Sequence, residues 1–321
     1  MVVLPGTLFR VLFWCSLGIV EAFSLLGNTI IIYIITTRKN LHSNTNWFLL
    51  SLAISDICVP LFIIPSHLVC TETRVVCDNR AAIVIYNFIL FASVLNLCAC
   101  TSERYIAILH PFKYIYIVNR KRVFAALFHV WILPLPLSIL PVIFIPQSPN
   151  PALADRIYWL AQVVVFMIVP SVAMLAAFWR IHRIAMWHAN QIRRLSKVPE
   201  DERASGGRKK LVLEAKSTLK VYGMVVAVFT LSWLLSAYRM IKQRFLLGDV
   251  PIELDYISRL LLVSNSALNP FIYGMQKADI KEKFLSVLKR NRLGHGRMMS
   301  SNASNPINSG GNDYLKNDTD M

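Results

Sequence analysis

Hydrophobic residues along this chain gather into long blocks instead of alternating at the short periods of a soluble fold. Seven such blocks lie near residues 11–35, 48–69, 81–108, 123–145, 157–181, 219–241 and 257–273. Each approaches or exceeds the roughly 20 apolar residues a helix needs to cross a hydrocarbon core about 30 Å thick. The pattern predicts an all-α membrane protein built as a seven-transmembrane helix bundle. The first block is too long for the apolar region of a signal peptide and has no basic segment before it, so it reads as span 1. The third would measure about 42 Å at 1.5 Å per residue, so that helix tilts or projects past the membrane.

After the last block, residues 279–290 place Ile280, Phe284, Leu285 and Leu288 at helical spacing, with Lys281, Lys283 and Lys289 on other faces. This spacing predicts an amphipathic helix on the inner leaflet. From Gly294 onward Ser, Asn and Gly dominate, the composition of a disordered tail. The expected organisation is a short extracellular N-terminus over 1–10, a membrane domain over 11–290 and a cytoplasmic tail over 291–321. The longest internal loop is expected over 182–218. Its Arg193, Arg194, Lys197, Arg208, Lys209 and Lys210 suit anionic lipid or a protein partner equally well.

Composition narrows the class. Of 321 residues 55% are hydrophobic and 16% are charged, with a mean hydropathy of +0.50. A soluble domain carries about 25% charged residues, so an ordinary cytosolic enzyme is excluded. Neither a metal-ligand spacing, a nucleophile elbow nor a phosphate-binding glycine loop is present to suggest catalysis. The formal charge of +16 would suit nucleic acid, but topology assigns it differently. With the N-terminus outside, only Arg10, Arg74, Arg80, Arg156, Arg239, Lys242, Arg244 and Arg259 lie on the outer side. The whole excess then faces the cytoplasm, as the retention of basic residues there requires; no nucleic-acid partner is expected.

Ionisable groups inside spans are costly and are functional candidates by default. Glu21, Asp56, Glu103 and Arg104 stand out. Asp56 lies mid-span 2, at a depth matching Asn28 in span 1, Ser93 and Asn96 in span 3, and Asn265, Ser266 and Asn269 in span 7. These residues form either an ion site or a hydrogen-bonded core network. Glu103-Arg104-Tyr105 ends span 3. Pro270 in Asn269-Pro270-Phe271-Ile272-Tyr273 lacks the amide donor and marks a hinge in span 7.

The ordered set Gly27-Asn28, Leu52-Ala53-x-x-Asp56, Glu103-Arg104-Tyr105 before Pro111, Trp131, Pro170, Phe229-x-x-x-Trp233 and Asn269-Pro270-x-x-Tyr273, one per span, resembles the rhodopsin-like (class A) G-protein-coupled receptors over roughly 25–290. The resemblance implies a plasma-membrane receptor that performs no chemistry and passes an extracellular signal to a heterotrimeric G protein by outward movement of helix 6. It implies that Arg104 is held by Glu103 at rest and that Tyr105, Asn269, Pro270 and Tyr273 serve the G-protein switch. Val94, Pro170, Phe229 and Trp233 become the packing switch. Asp56, Ser93, Asn265, Ser266 and Asn269 match the family's sodium pocket, so Na⁺ is the only cofactor-like group expected, as a modulator. Arrestin and kinases at the tail, with Ser300, Ser301, Ser304 and Ser309 as phosphorylation sites, follow by the same analogy.

Departures are equally legible. The span 6 proline is replaced in Trp233-Leu234-Leu235, a tyrosine eight residues after Pro170 is Phe178, and Glu214 is one residue out of register for the acid that clamps Arg104. Tyr86 stands where amine receptors carry an Asp, and Val263 where opsins carry the retinal lysine. The implied ligand pocket contains Tyr86, Asn87, Leu90, Trp233, Tyr238, Arg239 and Arg259. Arg239 and Arg259 either hold an anionic group, or Arg259 instead pairs with Asp255, which is four residues before it. The short N-terminus points to a small molecule or short peptide as ligand. The usual partner cysteine in the second outer loop is missing, so a local Cys70–Cys77 disulfide is expected. Rival readings are a transporter or channel along the polar path through Asp56, Glu21 and Arg104, and a receptor fold that only scaffolds. The transporter reading is weakened by the lack of an inverted repeat.

Overall fold

A computed structural model describes residues 6–63, 79–195, 220, 223, 224, 226–243, 245, 246 and 250–276. The helices are α1 (Thr7–Thr37), α2 (Asn44–Cys58), α3 (Asn79–Leu109), α4 (Pro111–Ile117), α5 (Arg120–Ile132), α6 (Pro134–Ile143), α7 (Pro151–Gln162), α8 (Val169–Leu195), α9 (226–243) and α10 (Ile252–Gln276). Among the described residues five helical stretches are long and apolar enough to cross a membrane, namely Leu8–Thr37, Asn44–Phe62, Arg80–Leu109, Arg120–Ile143 and Pro151–His188. No strand occurs among the described residues, as the all-α expectation requires.

Local chemistry sets the helix ends. The Ser43 side chain accepts from the Asn46 amide to open α2, and the Asn119 side chain accepts from the Arg122 amide to open α5. Each satisfies one amide that has no partner inside its helix. Pro134 cannot donate to the preceding turn, so the hydrogen-bond ladder of the fourth predicted block is interrupted at Leu133 and divides it into α5 and α6 within one helical stretch. Two π-helical stretches were not foreseen: Val59–Ile63, which contains Pro60, and Val163–Ile168, which ends two residues before Pro170. A proline cannot donate to the carbonyl four residues back, and a π-turn absorbs the resulting change of register.

Two boundaries move. The internal loop expected from residue 182 begins later, because α8 runs on to Leu195. Ala185, Ala189 and the straight-chain side chains beyond His182 keep helix propensity high after apolarity ends. Similarly α1 begins at Thr7, so Arg10 lies inside a helix and not in a free N-terminus. The amphipathic segment 279–290 and the tail fall outside the described residues.

α3 is the central element, touching α2, α4, α5, α6 and α8, while α1 packs along α10 and α2. The main buried cluster includes Leu52, Val94, Met167, Met174, Phe229 and Trp233. Outward faces remain apolar: Leu8, Val11, Leu12, Ile19, Phe23 and Leu26 of α1 are all more than half exposed. A soluble helix would turn such a stripe inward; here lipid is the solvent for it.

Candidate functional site

Three buried polar clusters occupy successive levels of the bundle. The first centres on Asp56, which is fully buried. Asn269 Nδ2 donates to Asp56 Oδ2 at 2.7 Å, and Ser24 Oγ donates to the Asp56 carbonyl at 3.3 Å. Asn28 Nδ2 donates to the carbonyls of Ser24 at 2.9 Å and of Ser266 at 3.1 Å. Helices α1, α2 and α10 are therefore joined through side chains the sequence placed at one depth. The Ser93 and Ser266 hydroxyls face the carboxylate as well, yet Asp56 Oδ1 and Asn265 Nδ2 are buried with no hydrogen-bond partner among the described residues. A buried carboxylate oxygen left open beside two hydroxyls is the donor chemistry a small hard cation takes. Of the residues implied for sodium, Asn269, Ser266 and Ser93 face Asp56.

The second cluster ties α2, α3 and α5. Trp131 Nε1 donates to Ser51 Oγ at 2.9 Å, Ser51 Oγ donates to Asn96 Oδ1 at 2.7 Å, and Asn96 Nδ2 donates to the Ala92 carbonyl at 2.9 Å. Each donor finds an acceptor, so the chain of bonds leaves the Ser51 and Asn96 groups satisfied in the interior. Ser51 was missed in the sequence because an isolated serine in an apolar block carries no periodic signal.

The third cluster surrounds Glu103, which is buried. Its Oε1 accepts from Thr45 Oγ1 at 2.7 Å and from Tyr114 OH at 2.6 Å, and the two hydroxyl oxygens lie 2.8 Å apart. Burial first, and then the bond to Glu103, pushes the Tyr114 phenol up to about 12, so it remains a donor at neutral pH. Asn44 Nδ2 donates to the Val118 carbonyl at 2.7 Å and fixes the far end of α4. Tyr105 OH accepts from Arg180 Nη1 at 2.7 Å, which joins α3 to α8. Thr45 and Tyr114 were not legible from the sequence; both lie outside the apolar blocks where ionisable residues draw notice.

A charge-assisted bond to a buried carboxylate contributes about 1.5–3 kcal/mol. Tyr114→Phe is expected to lower the melting temperature of the purified protein by several degrees. Tyr116→Phe, whose ring is 77% exposed, should leave it unchanged. Differential scanning fluorimetry checks both.

The packing set also lies in the interior. Val94, Phe229 and Trp233 are buried in one hydrophobic cluster, and the Phe229 and Trp233 rings sit 5.9 Å apart. Pro170 is also buried. Helix α9 is uninterrupted over 226–243, as expected without a proline after Trp233. Beside Phe178, a Cβ on Gly223 would lie 2.7 Å from the ring tip, so the phenylalanine that replaces the family tyrosine packs directly on the span 6 segment.

At the opposite end the expected pocket is only partly assembled. Tyr86 and Leu90 pack with Leu17 and Val263. Asn87 is buried, and its Nδ2 donates to Tyr158 OH at 3.4 Å. Tyr238 does not join them: it is 52% exposed and shares an outward face with Leu231 and Leu234, at the helical spacing of a lipid-facing stripe. Arg259 Nε donates to Asp255 Oδ2 at 2.9 Å, and Arg239 Nη1 donates to Asp255 Oδ1. The pairing reading therefore holds for Arg259, and Asp255 takes Arg239 as a second partner that the sequence did not indicate. Burial alone would raise the Asp255 pKa, but the guanidiniums of Arg259 and Arg239 outweigh it and hold the carboxyl below its usual range. Cys70, Cys77, Glu214 and the Tyr273 side chain lie outside what is described; Cys15, Cys58 and Cys98 are free thiols.

The sequence profile described as "7 transmembrane receptor (rhodopsin family)" matches residues 27–273, which contain every motif quoted above. The chain belongs to this family: it is a G-protein-coupled receptor and not an enzyme. It is 28% identical to a D(5)-like dopamine receptor of Takifugu rubripes over 88% of this chain and 68% of that one. It is 25% identical to the human histamine H2 receptor over 94% of this chain and 87% of that one. It is 26% identical to the alpha-1A adrenergic receptor of Mus musculus over 85% and 66% respectively. As a member of this family it is a multi-pass membrane receptor.

Proposed function

We propose that the chain binds a small extracellular ligand between the outer halves of spans 3, 6 and 7 and transmits it through Trp233, Phe229, Pro170 and Val94 to Glu103-Arg104-Tyr105. The observation that carries this reading is the Asn269–Asp56 bond beside Pro270, which fastens the hinge of span 7 to the middle of span 2. An agonist shifts such an equilibrium only by preferring one packing over the other. Seven spans, an outside N-terminus, the amphipathic helix after span 7, and arrestin, kinases and anionic lipid at the basic inner face complete the reading. Tyr273 keeps the role that the family resemblance gives it, and a local Cys70–Cys77 bond stands in for the missing second-loop cysteine. Na⁺ at Asp56, Ser93, Asn265, Ser266 and Asn269 is supported by the open Asp56 Oδ1.

Relatives are named for dopamine, histamine and adrenergic ligands. This chain lacks the span 3 carboxylate that would hold an ammonium, since Tyr86 occupies that place. The ligand is accordingly anchored by aromatic, amide and aliphatic contacts at Tyr86, Asn87 and Leu90, with Arg259 and Arg239 held by Asp255.

G-protein activation in cells expressing the full chain, across the main G-protein classes, tests this. Activation above empty cells that disappears in Arg104→Ala is expected. Wild-type activity that survives Arg104→Ala unchanged would overturn the assignment of the switch.

A further inference from the structure

A groove of about 360 Å³ runs between α3 and α8, lined by Cys98, Thr101 and Tyr105 on one side and Ala173, Ala177 and Arg180 on the other. It opens to the outside of the bundle, because Ser102, Ala173, Ala176 and Arg180 are exposed. Eight residues of helix give it a length of roughly 12 Å, close to the depth of one leaflet's hydrocarbon, which is about half of 30 Å. The groove is apolar along its length and charged at one end only. There Arg180 donates Nη1 to Tyr105 OH, which uses one of the guanidinium's five donors.

The surroundings fix the level of that end. Trp179 and Trp187 are each 58% exposed, and the Arg183 guanidinium lies 4.7 Å from the Trp179 ring centre. Exposed indoles mark the headgroup layer, and arginine matches phosphate with a planar fork. A groove that takes an acyl chain along its floor and ends in a cation at headgroup depth complements one chemistry.

We propose that this groove is a binding site for an anionic phospholipid of the leaflet at the Glu103 end, with one acyl chain between Ala173 and Thr101 and the phosphate on Arg180. The occupant lies against Tyr105, the neighbour of Arg104, so headgroup occupancy biases the Arg180–Tyr105 bond and through it the end of α3. The inference rests on the membrane-spanning reading above but not on ligand identity or signalling.

The test uses purified full-length receptor in nanodiscs of phosphatidylcholine with or without phosphatidylserine, followed by native mass spectrometry of retained lipid. Wild type should retain phosphatidylserine, with retention roughly tenfold lower in Arg180→Gln, the loss expected for a charge-assisted bond. Ala176→Phe, which fills the open side, should lower it similarly, while Arg180→Lys keeps part of it. Melting curves confirm that each variant is folded. Soluble glycerophosphoserine and inorganic phosphate should not displace the lipid, which separates a headgroup-only anion site from a lipid site. Equal retention in wild type, Arg180→Gln and Ala176→Phe, retention of a sterol in place of phospholipid, or full displacement by the soluble headgroup would each overturn the proposal. Because the assay reads bound lipid and not G-protein activation, its failure leaves the receptor reading standing, and the reverse holds.

Discussion

A Gly27→Val receptor is expected to yield no more than about a tenth of the folded protein that wild type gives, a loss of at least about 1.4 kcal/mol. A Cβ at position 27 would lie 2.8 Å from Pro270 Cγ and 2.9 Å from its Cβ. The proline ring is rigid and its φ is fixed, so no flexible side-chain end can yield, and α1 and α10 must separate. Overpacking costs about 1–3 kcal/mol for small insertions. Removing a helix glycine returns only about 1 kcal/mol of propensity. For alanine the two nearly balance; valine adds two more carbons against the same ring and the clash wins. Separation would also strain the Asn28 to Ser266 bond at 3.1 Å. Gly18→Val is the control, since nothing lies within 4 Å of a Cβ there, and it should express normally. Fluorescence-detected size-exclusion chromatography of the tagged chain reads both.

That close approach shows what the sequence conveys and what it does not. Apolar blocks of span length are legible because lipid makes each helix satisfy its own backbone, and their order carried the family. Asp56, Asn28 and Asn269 were legible as partners because polar residues in such blocks are rare and their depths can be counted. The tie of Asp255 to Arg259 followed from helical spacing. The tie of Asp255 to Arg239 crosses between helices and had no local signal. Tyr238 was misplaced for the same reason: which face of α9 turns inward depends on its neighbours, and Tyr238 follows Leu231 and Leu234 outward. Thr45 and Tyr114 reach Glu103 from a helix start and a loop helix, positions whose side-chain directions only packing defines.

The Asn269–Asp56 bond, which joins span 7 to span 2, carries the second large effect. Asn269→Asp replaces the buried donor by a second carboxylate, 2.7 Å from Asp56 Oδ2 if the local geometry is kept. Two carboxylates at that distance cannot both ionise, and an uncompensated buried charge costs about 3–5 kcal/mol. Asp56→Asn alone is milder, because two amides can still bond. Combining the substitutions restores a donor and an acceptor with their roles exchanged, and coupling of this kind is what a double-mutant cycle isolates. G-protein activation in cells, normalised to receptor amount, should fall more than tenfold in Asn269→Asp and recover to at least half of wild type in Asp56→Asn/Asn269→Asp. A double variant as inactive as Asn269→Asp alone would contradict the claim that this bond joins the two spans in signalling.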